Sequence, residues 1–465
     1  MKENVTFSLG NIALIEKADA SLNGYFNQIL NGVGGKAKDF IPCVKLLIAN
    51  RMGHCYSISR LKDLPEEYFK FLGFSKPKSD RTLNRTIERI GQKYQFIVHK
   101  HQKVLKKYGL VTLEQFPDFS SSYFEGKNSP LGELGYSRDN EPGKRQITFG
   151  ICTGMNDIPT ALTIQKGNVQ DKKHFRIMFK TAKHVLDENS VLIFDCGGNT
   201  KQNKKLVRSN KFHYLTLKPK KVGPYKQLIK LYDFNDDKRE SFIVNGKSYS
   251  CVKVKMHHEY NYVFFSEDLY NDQMKTKNRR YMKELEKNKA KLKKTLSGKV
   301  IDTYLCEEGY ILTKGSLQKV IDDHLNPYVN GLEGFFVLQS SIDEDPEKIL
   351  ALYKDRDKAE KLIRNMKEGT ELHPIRHWND WTVKGYLVII FLTNFLINLT
   401  LLKAEDPVVK NVKLLKKYLM KLTVTIVYPP NSFKFHVISN ISEEIKSIFG
   451  NYIDKYEDKT LCLRW

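Results

Sequence analysis

The sequence predicts an α/β protein: a mixed-sheet core interrupted by a β-rich insertion, with a helical region before it and another after it. Three observations carry this. The apolar pattern changes from helical spacing to a period of two at Val111. The run SVLIFDCGG, residues 190 to 198, is an apolar stretch ending in an Asp and two glycines. That is the pattern of a buried strand presenting Asp195 at its carboxyl end. A long segment rich in Val, Tyr and Phe then separates this strand from a charged helix, Tyr353 to Lys367. The expected division is a helical domain over 1–110, a first part of the core over 111–217, the insertion over 218–330, a second part of the core over 331–403, and a mainly helical region over 404–465.

In the first region, Phe40 to Met52 is apolar and helix-like, and Pro65 and Pro77 punctuate the residues after it. Ser79 is placed to cap a helix running through RTLNRTIERIGQKYQF. There Arg81, Arg85 and Arg89 repeat every four residues, with Leu83, Ile87 and Ile90 on another face. A basic stripe beside an apolar one suits a helix lying in a DNA groove, or equally a solvated charged face. Helical spacing resumes from Phe96 to Tyr108.

The core opens with expected strands Leu113 to Tyr123, Arg145 to Thr153 and Pro159 to Gln165. A helix runs from Asp171, its expected N-cap, to Leu186. The Asp195 strand, a short helix over 199–210 and a strand from Phe212 to Leu217 complete this part. Pro117 precedes Asp118 in the first strand and cannot donate to a ladder. Asp139, Asp157 and Asp171 lie in turn-like sequence, where turn and cap roles suit them better than catalysis.

The insertion contains SFIVNGKSYSCVKVKMHHEYNYVFFS, residues 241 to 266, with a hairpin expected at Asn245-Gly246. His257 and His258 read as strand residues. A basic helix comes next, from Gln273 to Lys299, with Tyr281, Leu285, Leu292 and Leu296 as a seam. It faces DNA phosphate or is a solvated arm.

The helix Tyr353 to Lys367 is the most informative stretch. At about 100° per residue, Tyr353, Arg356, Glu360 and Lys367 share one narrow stripe. Ala359, Leu362, Ile363 and Met366 form the adjoining apolar face, and Lys354, Asp357, Lys361, Arg364 and Glu368 face water. The run Tyr386 to Leu402 is slightly short for a membrane span and is interrupted by Asn394 and Asn398, so a buried helix is expected. Pro407 to Leu422 reads as a helix, Thr423 to Tyr428 as extended, and Ser442 to Tyr452 as a last helix.

The composition limits the partners. Lys and Arg total 77 against 53 Asp and Glu, a net charge of +24, and 41% of residues are hydrophobic. A chain this apolar folds, and an excess this basic points to a polyanion. Nucleic acid is the first choice, and an anionic membrane surface is the alternative. Seven cysteines stand singly, with no zinc-type spacing, and no signal peptide opens the sequence. Reduced thiols in a cytoplasmic protein are expected.

The spacing Tyr353-x-x-Arg356-x-x-x-Glu360-x-x-x-x-x-x-Lys367 resembles the signature of DDE-type insertion-sequence transposases of the Tyr-Arg-Glu-Lys group. PDFSSSYFEG around Asp118, GYSRDN (135–140), the strand at Gln146, GNVQD (167–171) and GLEGFFVLQSS from Gly331 are similar to it as well. The element order from Val111 to Leu217 is that of a ribonuclease H-like fold. The resemblance implies that Asp118, Asp195 and Glu360 are catalytic and hold two Mg²⁺ or Mn²⁺ ions. It implies that Tyr353, Arg356 and Lys367 handle DNA, and that the N-terminal helices with Arg81, Arg85 and Arg89 bind the transposon ends. Double-stranded DNA, at transposon ends and target, is the implied partner, bound by a homodimer with no membrane involved. An aromatic from the insertion, among Phe242, Tyr249, Tyr260, Tyr262, Phe264 and Phe265, is implied to hold a flipped base. Two other readings remain: a non-catalytic DNA-binding descendant, and another ribonuclease H-like nuclease.

Overall fold

The computed structural model describes residues 3–34, 39–126, 128–234, 236–295, 311–313, 316–318, 326, 328–404, 409 and 411–458. Strand β1 (Val5–Ser8) is followed by helices α1 (Gly10–Ser21), α2 (Tyr25–Leu30), α3 (Phe40–Met52), α4 (Glu66–Phe71), α5 (Asp80–Gln92) and α6 (Tyr94–Lys107). Next come β2 (Glu114–Tyr123), β3 (Glu133–Leu134), β4 (Arg145–Gly154), β5 (Pro159–Lys166), α7 (Asp171–Ala182), β6 (Val191–Phe194), α8 (Lys201–Ser209) and β7 (His213–Leu217). The insertion contributes α9 (Val222–Phe234), β8 (Glu240–Val244), β9 (Lys247–Met256), β10 (Glu259–Phe265), α10 (Glu267–Thr295), β11 (Ile311–Thr313) and β12 (Ser316–Gln318). The chain ends with β13 (Phe335–Ser340), α11 (Pro346–Lys354), α12 (Asp357–Arg364), α13 (Asp380–Leu402), α14 (Val412–Lys421), β14 (Thr423–Val427), β15 (Phe435–Ser439) and α15 (Glu443–Phe449).

The chain forms two compact units. The first comprises Met1–Phe194, Thr200–Phe212 and Asp355–Trp465, and the second Asp195–Asn199 and His213–Lys354.

The first unit is built around α13. This helix is long and apolar enough to cross a bilayer, yet 83% of its most apolar window is buried in protein. The Asn394 amide finds acceptors for its donors, giving to Thr370 Oγ1 at 3.1 Å and to the Ile390 carbonyl at 2.9 Å, while its Oδ1 is buried without a hydrogen-bond partner. Asn379 and Thr382 close a capping box at its start. Helix α5 crosses α13 at backbone contact. A Cβ on Gly91 would fall 1.7 Å from the Trp381 carbonyl oxygen, and one on Gly385 1.9 Å from that of Ile87. The expected helix through 81–96 is divided at Lys93: α5 ends at Gln92, and α6 begins at Tyr94. Ser79 caps α5 as expected, accepting from the Thr82 N–H at 3.4 Å. The basic helix α5 is thus also part of the main core.

In the mixed sheet of this unit, β4 pairs antiparallel with β2, β3 and β5, and β2 pairs parallel with β6. Asp171 is the first residue of α7, and Gln170 holds the cap position. The N- and C-terminal segments share a second sheet, β1-β14-β15, in which Val5 faces Ile426. Neither β1 nor β15 shows in the apolar pattern.

In the second unit the strand order is β7-β13-β10-β9-β8. The hairpin at Asn245-Gly246 forms with φ of 52° and 72°, the left-handed pair of a two-residue turn. His257, at φ 54°, and His258 make the next turn, rather than lying in a strand. β10 pairs with β13 from Tyr260↔Ser340 to Phe265↔Phe335, and β13 pairs with β7 on its other side. Residues 337–340 of β13 are buried, so both of its edges need partners. Helix α10 begins at Glu267, ahead of the expected Gln273. Tyr281 is buried, whereas the side chains of Leu285, Leu292 and Leu296, together with Lys299, Cys306 and Cys462, lie outside the described residues. So do residues 405–408 at the expected start of the helix that is realised as α14.

Candidate active site

Asp118 lies midway along β2. Side chains alternate along a strand. Phe119 turns toward α7, where its ring lies 4.8 Å from that of His174, and Asp118 turns toward α12. Pro117 is accommodated because the β6 ladder covers only Glu114 and Gln115 and stops before it. His174 donates to or accepts from Thr163 Oγ1 at 2.8 Å. Burial, with the nearby Arg138 charge, lowers its pKa to about 3, so it is a neutral core group.

The stretch from Tyr353 to Lys367 is not one α-helix. Helix α11 ends at Lys354, and the next turn tightens: the Lys358 and Ala359 N–H groups reach back three residues, to Asp355 and Arg356, at 3.0 Å each. Beyond α12 the chain widens into a π turn, Asn365–Gly369. Each change of pitch shifts the 100° register, so the single stripe is replaced by separate placements. Tyr353 belongs to the second unit, and Arg356, Glu360 and Lys367 to the first. The apolar face survives: Ala359, Leu362, Ile363 and Met366 are all buried. Lys354 departs from its expected place in water, donating to the Val244 carbonyl at 3.2 Å and Tyr249 Oη at 3.0 Å.

The structure brings Asp118 and Glu360 together through Arg356. The guanidinium lies 3.9 Å from Asp118 Oδ1 by one nitrogen and donates to Glu360 Oε1 by another. Asp118 and Arg356 are each largely covered, and Glu360 is half-exposed. Lys367 is committed to Asp139 at 2.5 Å, a largely buried pair, and the other Asp139 oxygen accepts the Tyr123 N–H at 3.2 Å. Asp171 takes a two-pronged contact from Arg138 at 2.6 and 2.7 Å. The GYSRDN segment is thus a clasp, with Arg138 tied to α7 and Asp139 to the π turn. The sequence suggested turn roles for these aspartates but not their partners. Asp157 sits in a turn at φ 63°, 3.6 Å from Lys358.

Asp195 comes directly after β6 and belongs to the second unit. Its Oδ1 accepts the Cys196 N–H at 2.7 Å, and its carbonyl accepts from Gly198 at 3.1 Å. The same turn is tied down by Asn199, which donates to the Leu217 carbonyl at 2.9 Å and Gln339 Oε1 at 3.0 Å. Gln339 in turn donates to Glu259 at 2.7 Å and Asn261 at 3.0 Å. Nothing in the sequence pattern marks Asn199 or Gln339, since the network depends on the pairing of β13.

On α5, Arg81 and Arg85 are exposed, and Arg89 donates to the Gly34 carbonyl at 2.5 Å. Among the insertion aromatics, Tyr249, Tyr262 and Phe264 are buried, while Phe242, Tyr260 and Phe265 are part-exposed. Among the described residues, no three His, Cys, Asp or Glu side chains are gathered closely enough to hold a metal ion.

The transposase DDE domain family matches residues 126–396, more than half of the chain. The chain belongs to the transposase DDE domain family. The DDE-domain match includes Asp195 and Glu360 and begins after Asp118. Among solved structures, the chain is similar to a piggyBac transposase in a cryo-EM synaptic complex with hairpin DNA. The identity is 9% and the TM-score 0.43, over 88% of this chain and 76% of that one. No curated protein matches the sequence.

Proposed function

We propose that this chain is a transposase of the Tyr-Arg-Glu-Lys group. On this reading it binds the terminal repeats of an insertion sequence and cleaves and joins DNA with a ribonuclease H-like core. The observation that carries the reading is the link from Asp118 through Arg356 to Glu360, which joins carboxylates far apart in sequence at one cation. Asp195 is supported by its place directly after β6, the strand that pairs parallel with the Asp118 strand β2.

By donor chemistry three carboxylates suit a hard divalent ion, although in this structure they are not gathered closely enough to hold one. Arg356 already places a positive charge between two of them. Asp118, Asp195 and Glu360 would hold two Mg²⁺ or Mn²⁺ ions, which when bound activate the attacking oxygen and steady the leaving one. The chain itself needs no Ser, Cys or Tyr nucleophile. Arg356 would exchange its carboxylate contacts for a backbone phosphate, which a guanidinium grips with two donors. Tyr353 is assigned to stack on a base, and Lys367 to reach phosphate from its contact with Asp139. Exposed Arg81 and Arg85, with Arg89, are assigned to the transposon end, and the DNA-bound form to a homodimer.

The test is Glu360→Gln, which keeps size and removes charge. It should fold and bind DNA while losing Mg²⁺-dependent cleavage and strand transfer by orders of magnitude, as should Asp118→Asn and Asp195→Asn. Glu368→Gln, exposed on the π turn, should cut nearly normally. Wild-type cleavage by Glu360→Gln would falsify the assignment. For α5, changing Arg81, Arg85 and Arg89 together to Ala should flatten the salt dependence of end binding, by about one unit of slope for each phosphate no longer held.

A further inference from the structure

We infer that Trp378 is a stacking platform for an unpaired DNA base, on a surface separate from the proposed carboxylate site. Trp378 is 72% exposed and Trp381 42%, in a chain with three tryptophans. Tryptophan is highly buried on average, and an exposed indole offers a broad apolar face with a polar edge to a partner.

The ring is carried on an anchored loop. Residue Ile375 bridges to Phe124, the residue after β2, accepting from the Glu125 N–H at 3.0 Å and donating to the Tyr123 carbonyl at 3.1 Å. Arg376 pairs with Glu125 at 3.0 Å and stays largely in solvent. Ser129 donates to Asp380, the first residue of α13, at 2.5 Å, so that carboxylate is engaged. On the other side, Asn379 caps α13, and Lys384 lies over the Trp381 ring at 4.5 Å from its centroid. Trp378 therefore lies two residues after the exposed Arg376 and three before Trp381, the ring that Lys384 covers, on a backbone fixed at both ends.

Aromatic rings interleaved with cations are what a nucleic-acid strand requires: a π-face for the base and positive charge for the phosphates. The net charge of +24 favours the same partner. An apolar protein surface would gain nothing from the flanking cations. Phe124 lies six residues along the strand from Asp118, about 20 Å at the rise of a β-strand, which sets this loop apart from the proposed carboxylate site. The inference rests on the reading of this chain as DNA-acting, but not on its cutting DNA.

The experiment uses the full chain without divalent ions. A mixed-sequence single-stranded oligonucleotide is titrated while tryptophan emission is followed, with heparin as a charge-only control. The oligonucleotide should quench emission and heparin should not. Trp378→Ala should keep its urea midpoint, lose most of the quench and bind about tenfold or more weakly, as expected when one base stack is removed. Trp378→Phe should restore most of the affinity, whereas Trp378→Leu should not. Equal quench and affinity in Trp378→Ala overturn the inference. So does full rescue by Leu, or a change of oligomeric state with DNA binding intact, which would make the ring a protein contact. Quenching without any metal-dependent cleavage would strike the catalytic reading alone.

Discussion

The two units solve the same folding problem by opposite means. The second is assembled largely from neighbours: β8, β9 and β10 are joined by two-residue turns and β10 pairs back onto β9, with β13 the one distant strand, set between β10 and β7. The first is assembled from distant segments, with α1, α3 and α5 packed on α13 and β1 held by β14. Local assembly tolerates change at its turns, whereas long-range assembly concentrates its tolerance limits where two backbones touch.

The sharpest way to break this comparison is one substitution made twice. Gly91→Ala in the first unit sets a Cβ against the Trp381 carbonyl, a backbone atom that no side-chain rotation relieves. It should cost more than about 3 kcal/mol. Gly246→Ala in the second unit meets nothing within 4 Å and pays only for its φ of 72°, about 1–2 kcal/mol. Urea unfolding of both variants checks this, and equal losses would end the distinction.

Acid should separate the units next. In the first, burial lowers the pKa of His101 to about 4, of His174 to about 3 and of His377 to about 4. A depressed histidine is neutral when folded and takes up its proton on unfolding. Its contribution is whole above about 6.5 and is lost as pH falls from there toward the folded values. In the second unit, burial acts to raise the Glu333 pKa, but Lys277 and the backbone donors outweigh it and hold it at about 2. That contribution is whole above about 4.3 and is lost only as pH falls toward 2. Hydrogen exchange, corrected for intrinsic rates, should show α6 and α7 losing protection below about pH 6.5 while β10 and β13 hold. Simultaneous loss would show that the units do not respond separately.

The smallest effect concerns Arg356. Arg356→Gln removes the cation between Asp118 and Glu360. Mn²⁺ should then raise the melting temperature of the variant more than that of the wild type, because the ion no longer competes with the guanidinium. An equal rise would mean that Arg356 does not occupy the ion's place.

What the sequence made legible divides in the same way. Asn245-Gly246, the alternation of 241–266 and the buried run before Asp195 are local signals, and they produced the hairpin and β6. The apolar face of α12 was legible because it needs only helical spacing. The break at Asp355-Arg356 and the π turn were not, since propensity there is uniformly helical and the pitch is set by tertiary contacts such as Lys367 with Asp139. The same holds for β1. Its four residues carry no pattern of their own and become a strand only because β14 offers an edge. Of the candidate site, residue types were legible, but the joining of Asp118 to Glu360 by Arg356 depends on packing between β2 and α12.

The pairing of Val5 with Ile426 has a consequence in time. A ribosome adds about 5–20 residues per second, so β1 leaves the tunnel roughly 20–80 seconds before its partner strand is made. For that interval α1 and α3 have no α13 to cover them, and a chaperone or simple delay must keep their apolar faces apart. Slowing translation ahead of residue 380 should lengthen this exposure and lower the soluble yield. Slowing it within 241–266, where each strand meets its partner almost as soon as it emerges, should cost little.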